Sequence, residues 1–206
     1  MSEAVKLYTE QYIATGFERR ELFELLDSSF SIDTCLYPGC FIHCTPSFFF
    51  RECAYVDTDK RAVRFFKSSA VRAFIEANSV RDVPMVLRFH HADYDTRIPE
   101  PDASFDLILS LYAGFVSPPC TRYLKPGGVL VANNSHGDAS MATLDSRLRL
   151  VGVVHARNNR HSLETDSLDR YMIPKRQLDI TANYLRKMQR GIAYTKSAKY
   201  YIFERT

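Results

Sequence analysis

Two short apolar runs, FDLILSL at residues 105–111 and VLVA at 129–132, constrain the fold of this chain more than any other feature. Each is rich in β-branched or large aliphatic residues, and neither alternates cleanly between apolar and polar positions. Such runs predict strands buried on both faces of a parallel sheet. Pro101-Asp102 precedes the first, and Lys125-Pro126-Gly127-Gly128 precedes the second as a turn. The segment between them has the length of a crossover, in which Pro118-Pro119 must break or start a helix.

The same alternation extends along the chain. Residues 5–28 read as one or two amphipathic helices, with Leu22, Phe23, Leu25 and Leu26 on the apolar face. A strand over 32–37 stops at Pro38-Gly39, and Thr45-Pro46 opens a short helix through 48–50. Strands follow at 54–56 and 86–89, with a helix over 60–77 between them. Beyond the two central strands the pattern predicts a helix over 139–148, a strand at 150–154, a polar loop within 155–180, a helix over 174–190 closed by Gly191, and a last strand at 200–203. Strand and helix alternate throughout, which predicts an α/β, doubly wound sheet in a single domain spanning 1–206, with residues 1–30 as a helical cover.

In this setting SFDLILS followed by YLKPGGVLV resembles the fourth strand, connecting helix and fifth strand of the class I S-adenosylmethionine-dependent methyltransferases. The resemblance covers residues 32–205. It implies a Rossmann-like, mainly parallel seven-stranded sheet with an antiparallel C-terminal hairpin, which the terminal KYYIFER suits. It also implies a ligand edge, because open α/β sheets bind ligands outside the carboxyl ends of their strands.

Leu36-Tyr37-Pro38-Gly39-Cys40-Phe41 is similar to the family's glycine-rich turn, and Gly39 is the one glycine retained from that pattern. The resemblance implies that Tyr37 and Gly39 lie against the amino-acid end of S-adenosyl-L-methionine, glycine permitting a tight turn and close backbone approach. Asp57 follows Gly39 by eighteen positions and is the implied ribose ligand, its carboxylate accepting from the diol. Asp59 competes for that role, and either aspartate could instead cap the next helix. His91-Ala92-Asp93-Tyr94 is similar to the segment that meets adenine, which implicates Asp93 and Tyr94. Ser110, closing the fourth strand, should face the sulfonium.

Asn133-Asn134-Ser135-His136-Gly137-Asp138 is the most polar cluster at any strand end. Methyl transfer is an in-line displacement in which positioning supplies most of the rate. A base is needed only where the nucleophile carries a proton. His136 and Asp138 are the candidates for that work, against the alternative of a hydrogen-bonded turn that caps a helix. No Asn/Asp-Pro-Pro-Tyr/Phe motif follows the fourth strand, which lowers adenine or glutamine methylation and leaves a small-molecule acceptor. A methyltransferase-like scaffold that binds another ligand or a protein partner is the competing reading. A nicotinamide enzyme would need a fuller G-x-G-x-x-G fingerprint.

Composition narrows the classes further. A net charge of +3 gives no argument for nucleic acid or an anionic membrane surface. No apolar run approaches a membrane span, and the first residues lack a secretory h-region, so the expected compartment is the cytoplasm. Five cysteines without a C-x-x-C pair read as buried thiols, and no metal site is assigned.

Overall fold

The computed structural model describes residues 2–157 and 160–206. The chain divides into two compact units, Met1–Pro99 and Glu100–Thr206.

In the first unit α1 (Glu3–Tyr8) runs into a π-helical turn (Thr9–Ile13), and α2 (Arg20–Ser29) follows. Then come β1 (Thr34–Pro38), α3 (Pro46–Phe49), β2 (Glu52–Asp57), α4 (Lys60–Lys67), α5 (Ser69–Asn78) and β3 (Val86–His91). The strands pair in parallel in the order β3-β2-β1, so Pro38, Asp57 and His91 all close strands at one edge. Every side chain of β1 is buried, as expected of a strand covered on both faces. The helix expected over 60–77 breaks at Ser68, whose extended backbone (ψ 124°) ends α4 and caps α5. That break lets Phe65 and Ile75 both reach the core. The core is aromatic: Tyr8 meets Phe48, Phe65 and Phe74 with ring centroids 5.4–6.4 Å apart, and Phe66 stacks between Tyr55 and Phe89. Such pairs contribute about 0.5–1.5 kcal/mol each beyond the area they bury.

The second unit contains β4 (Phe105–Ser110), α6 (Ser117–Cys120), β5 (Leu124–Ala132), α7 (Asp138–Ala142), β6 (Leu148–Arg157), β7 (Arg160–Glu164), α8 (Ala182–Met188) and β8 (Tyr200–Arg205). Its strand order is β4-β5-β8-β6-β7. Only β4 and β5 are parallel; β8 lies antiparallel between β5 and β6, and β6 and β7 form the outer hairpin. Eight strands are thus present among the described residues, one more than the family pattern implies, because residues 160–164 pair with β6.

Several local expectations change here. The Lys125-Pro126-Gly127-Gly128 stretch lies inside β5 as an irregularity, since Leu124 pairs with Phe105 and Val129 with Leu107. The Lys125 ammonium reaches Asp106 at 2.7 Å across it. The helix expected over 139–148 stops at Ala142, and Asp145 accepts the Arg147 N–H and pairs with its guanidinium in the turn that follows. Arg157, Arg160 and His161, expected in a loop, lie on β6 and β7, whereas Asn158 and Asn159 fall outside the described residues. The helix expected from residue 174 begins only at Ala182. The preceding backbone is already committed: Lys175 N–H donates to Ala193 O and Thr195 N–H to Ile173 O, both at 2.8 Å. All five cysteines are free and buried, as their type suggests. No described helix is long and apolar enough to cross a membrane.

Candidate functional site

At the strand edge of the first unit, β1 leaves through Gly39, whose φ of +63° lies in the left-handed region that a residue without Cβ adopts freely. Its N–H donates to Val56 O at 2.8 Å, folding the turn back over β2. Phe41, two residues on, also has positive φ (+50°), and the Arg61 guanidinium lies 4.7 Å from its ring centroid. The Phe41 N–H donates to Asp57 Oδ2 at 2.7 Å, and the Asp59 N–H donates to Asp57 Oδ1 at 2.8 Å. Asp57 therefore fastens the turn to the end of β2. Each of its oxygens takes one N–H, and a carboxylate offers roughly four acceptor sites, so capacity remains for a diol.

Asp59 has the other role that the sequence left open. Its carboxylate caps α4 by accepting the Arg61 N–H at 2.7 Å, and hydrogen bonds from Arg61 hold its pKa below the ordinary value. Asp93 is exposed and closes a small turn: its Oδ1 accepts the Asp95 N–H at 3.0 Å, and its carbonyl accepts from Thr96. Tyr94 beside it is half-buried.

Tyr37 is buried, with its hydroxyl 3.1 Å from His43 Nδ1, and His43 Nε2 lies 3.0 Å from Glu18 O. Burial, followed by the nearby Arg19 charge, pushes the His43 pKa down to about 3, so the ring is neutral. A carbonyl can only accept, so Nε2–H donates to Glu18 and Nδ1 accepts from Tyr37. This chain joins residues far apart in sequence, and no local pattern signals it.

The second unit has its own polar edge. Ser110 ends β4, and Asn133 directly follows β5, with the Asn133 N–H donating to Ser110 O at 3.2 Å. Both side chains are buried, yet Ser110 Oγ and Asn133 Nδ2 have no hydrogen-bond partner among the described residues. Orphans of this kind are rare inside proteins and mark a place for a ligand or an ordered water. Ser135 Oγ donates to Asn133 Oδ1 at 2.9 Å and lies 3.0 Å from His136 Nδ1. Its single proton being spent on Asn133, Ser135 accepts from His136 Nδ1–H. The lone pair of the exposed imidazole is then on Nε2. Tyr112, with a φ of +64°, stands edge-on to this ring at 6.5 Å.

Asp138 does not join His136. Its buried carboxylate turns to Ser117, accepting the Oγ–H at 2.6 Å and the N–H at 3.0 and 3.1 Å. Burial raises its pKa to about 6, against the Ser117 hydroxyl and the Ser117 and Val116 N–H groups, which pull the other way. The nearby Ser110 hydroxyl lowers it as well, and is the largest of these opposing influences. Asn134 and Ser140 tie the loop to the segment after α8: Asn134 Nδ2 donates to Ile192 O at 2.9 Å, and Ser140 Oγ accepts from Ile192 N–H and Tyr194 O–H.

A further polar group lies on the outer hairpin. Tyr171 Oη donates to Glu164 Oε2 at 2.7 Å and lies 2.7 Å from His155 Nε2. Hydrogen bonds from Arg170 and Tyr171 hold the Glu164 pKa down to about 2. No local pattern signals this cluster, because its members come from β6, β7 and the turn after it.

No family model and no curated protein matches the chain. Among solved structures, an S-adenosylmethionine-dependent methyltransferase from Aquifex aeolicus superposes with a TM-score of 0.50 at 13% identity, over 78% of this chain and 96% of that one. A Corynebacterium glutamicum protein gives a TM-score of 0.52 at 12% identity, over 74% and 85% of the two chains. The match to the Bacillus subtilis protein YcgJ (TM-score 0.40, 23% identity) covers 59% of this chain and spans about half of that one, 54%. With the parallel first-unit strands and the antiparallel β8 beside β5, the likenesses to the Aquifex aeolicus and Corynebacterium glutamicum structures show that the chain has an α/β, Rossmann-like fold, the fold of that Aquifex methyltransferase.

Proposed function

We propose that the protein is an S-adenosyl-L-methionine-dependent methyltransferase acting on a small molecule. The observation that carries this reading is the Gly39–Asp57 cradle, where a positive-φ turn is pinned by a carboxylate that still has acceptor capacity. When bound, the cofactor would supply a sulfonium-activated methyl group. In this reading the Gly39 turn, with Tyr37 buried behind it, holds the amino-acid end, Asp57 accepts from the ribose diol, and Asp93 and Tyr94 flank the adenine. Ser110 offers its unpartnered hydroxyl at the end of β4. His136 Nε2 takes the proton of a protonated nucleophile. Asp138, facing away, anchors the start of α7 and so holds the loop that presents His136.

Isothermal titration of the purified chain with S-adenosylmethionine and S-adenosylhomocysteine tests the reading. Saturable binding is expected, weakened about tenfold or more in Asp57→Ala, the loss of a charge-assisted pair of hydrogen bonds. Absence of binding by the folded wild type would falsify the reading, and an unchanged affinity in Asp57→Ala removes the ribose assignment.

A further inference from the structure

A cavity of about 490 Å³ opens in the second unit beside α8 and the segment that follows it. That volume lies within the range of small-molecule sites. Its wall combines three cations, Lys175, Arg176 and Arg190, with the apolar side chains of Tyr184, Met188 and Ile192. None of the three cations forms an ion pair among the described residues. Arg186 and Lys187, in the last turn of α8, add to the positive field, and Asp179, the one acidic residue of that stretch, does not line the cavity. Four other surface arginines of this unit are matched to carboxylates: Arg122 to Asp102, Arg147 to Asp145, Arg149 to Glu204, Arg170 to Glu164. The three cavity cations are instead gathered, without such partners, on a concave and partly apolar wall.

The floor of the cavity is joined to the His136 loop. An added Cβ on Gly191 would lie 2.1 Å from Asn134 O, and one on Gly137 would lie 3.0 Å from Arg190 O. With the Asn134 and Ser140 hydrogen bonds to Ile192, residues 190–192 and 133–140 form one rigid seam. The cavity and the exposed imidazole therefore flank the same piece of backbone.

We infer that this cavity binds a small amphipathic anion, a carboxylate or phosphate monoester carried on an apolar or aromatic body. The charged end meets Lys175, Arg176 and Arg190, where a guanidinium fork suits either oxyanion. The apolar body lies on Tyr184, Met188 and Ile192. As the site of the methyl acceptor this assignment rests on the methyltransferase reading; as an anion site it stands by itself.

The test uses the full chain without cofactor, titrated with phenyl phosphate, phenylacetate and the uncharged 2-phenylethanol. One saturable site is expected for at least one of the two anions, which also tells phosphate from carboxylate, with far weaker binding of the alcohol. The double substitution Lys175→Gln and Arg176→Gln, at exposed positions, should weaken the anion about tenfold or more, and Tyr184→Ala should weaken it further. No saturable binding of either anion up to about 10 mM overturns the inference. So does equal affinity in the double variant, or tighter binding of a single-stranded oligothymidine, which would mark a polyanion surface. Anion binding alongside a blank cofactor titration keeps the anion site and removes the methyltransferase reading; cofactor binding without anion binding does the reverse.

Discussion

Asp138→Asn isolates what burial does to one carboxyl. The group is fully enclosed, receives its hydrogen bonds from Ser117, and has its pKa raised from 3.8 to about 6, chiefly by desolvation. At about 1.36 kcal/mol per pKa unit, that shift makes the ionised form cost the folded state about 3 kcal/mol. Below pH 3.8 the group is neutral in both states and the cost is absent. As pH rises towards 6 the unfolded chain loses its proton first, so stability falls, and above 6 the penalty is complete. Asparagine does not titrate, and its Oδ1 can still accept from the Ser117 N–H and O–H. Urea unfolding of both proteins from about pH 4 to about pH 8 measures the difference. The variant should gain about 2.5 kcal/mol on the wild type across that range, part of the penalty being present already at about pH 4. A difference that stays flat, or that moves in favour of the wild type as pH rises, refutes the argument that desolvation governs this carboxyl.

His43→Phe should act in the opposite direction. The folded-state pKa of about 3 lies below the ordinary 6.5, so wild-type stability is intact above 6.5 and is lost as pH falls towards 3. About 2 kcal/mol of that loss should fall between pH 6.5 and about 5 and be missing from the variant; parallel urea profiles for the two proteins would contradict it. Because Asp138 and His43 oppose each other near pH 5, each effect is read from its own variant and not from the wild-type profile. Gly191→Ala places a methyl group 2.1–2.2 Å from Asn134, where backbone must move. A loss of about 1–3 kcal/mol or more is expected as a lowered Tm, whereas Gln189→Ala, exposed two residues away, should change little. A Tm of Gly191→Ala equal to that of the wild type would mean the seam is looser than described.

The strands were legible because burial on both faces leaves a mark in local sequence. The runs at 105–111 and 129–132 became β4 and the end of β5, and the strand expected at 200–203 became β8. Helix extents were less legible. Local periodicity continues through 60–77, but a break at Ser68 suits the core better, and after Ala142 the apolar Leu144 falls in a turn while Leu148 begins β6. The helix expected from Pro174 starts late because the antiparallel bridge of Pro174 with Tyr194 takes up the backbone where it would begin.

The candidate site divides along the same line. That Gly39 needs a positive φ and that Asp57 closes a strand follow from residue type and spacing, so both could be read from the chain. Which aspartate caps α4 and which pins the turn depends on where two N–H groups point, and only the folded backbone decided it. His136 and Asp138 stand two residues apart and invited pairing, but the helix start directs Asp138 inward to Ser117 and leaves His136 to Ser135. The unpartnered Ser110 and Asn133 groups, the Tyr37–His43–Glu18 chain and the basic cavity by α8 join residues that sequence keeps apart. Sequence by itself determined the sheet and the strand ends, because periodicity and turn chemistry are local. Tertiary structure alone decided which polar atoms are satisfied and which remain available, because that depends on neighbours brought together by folding.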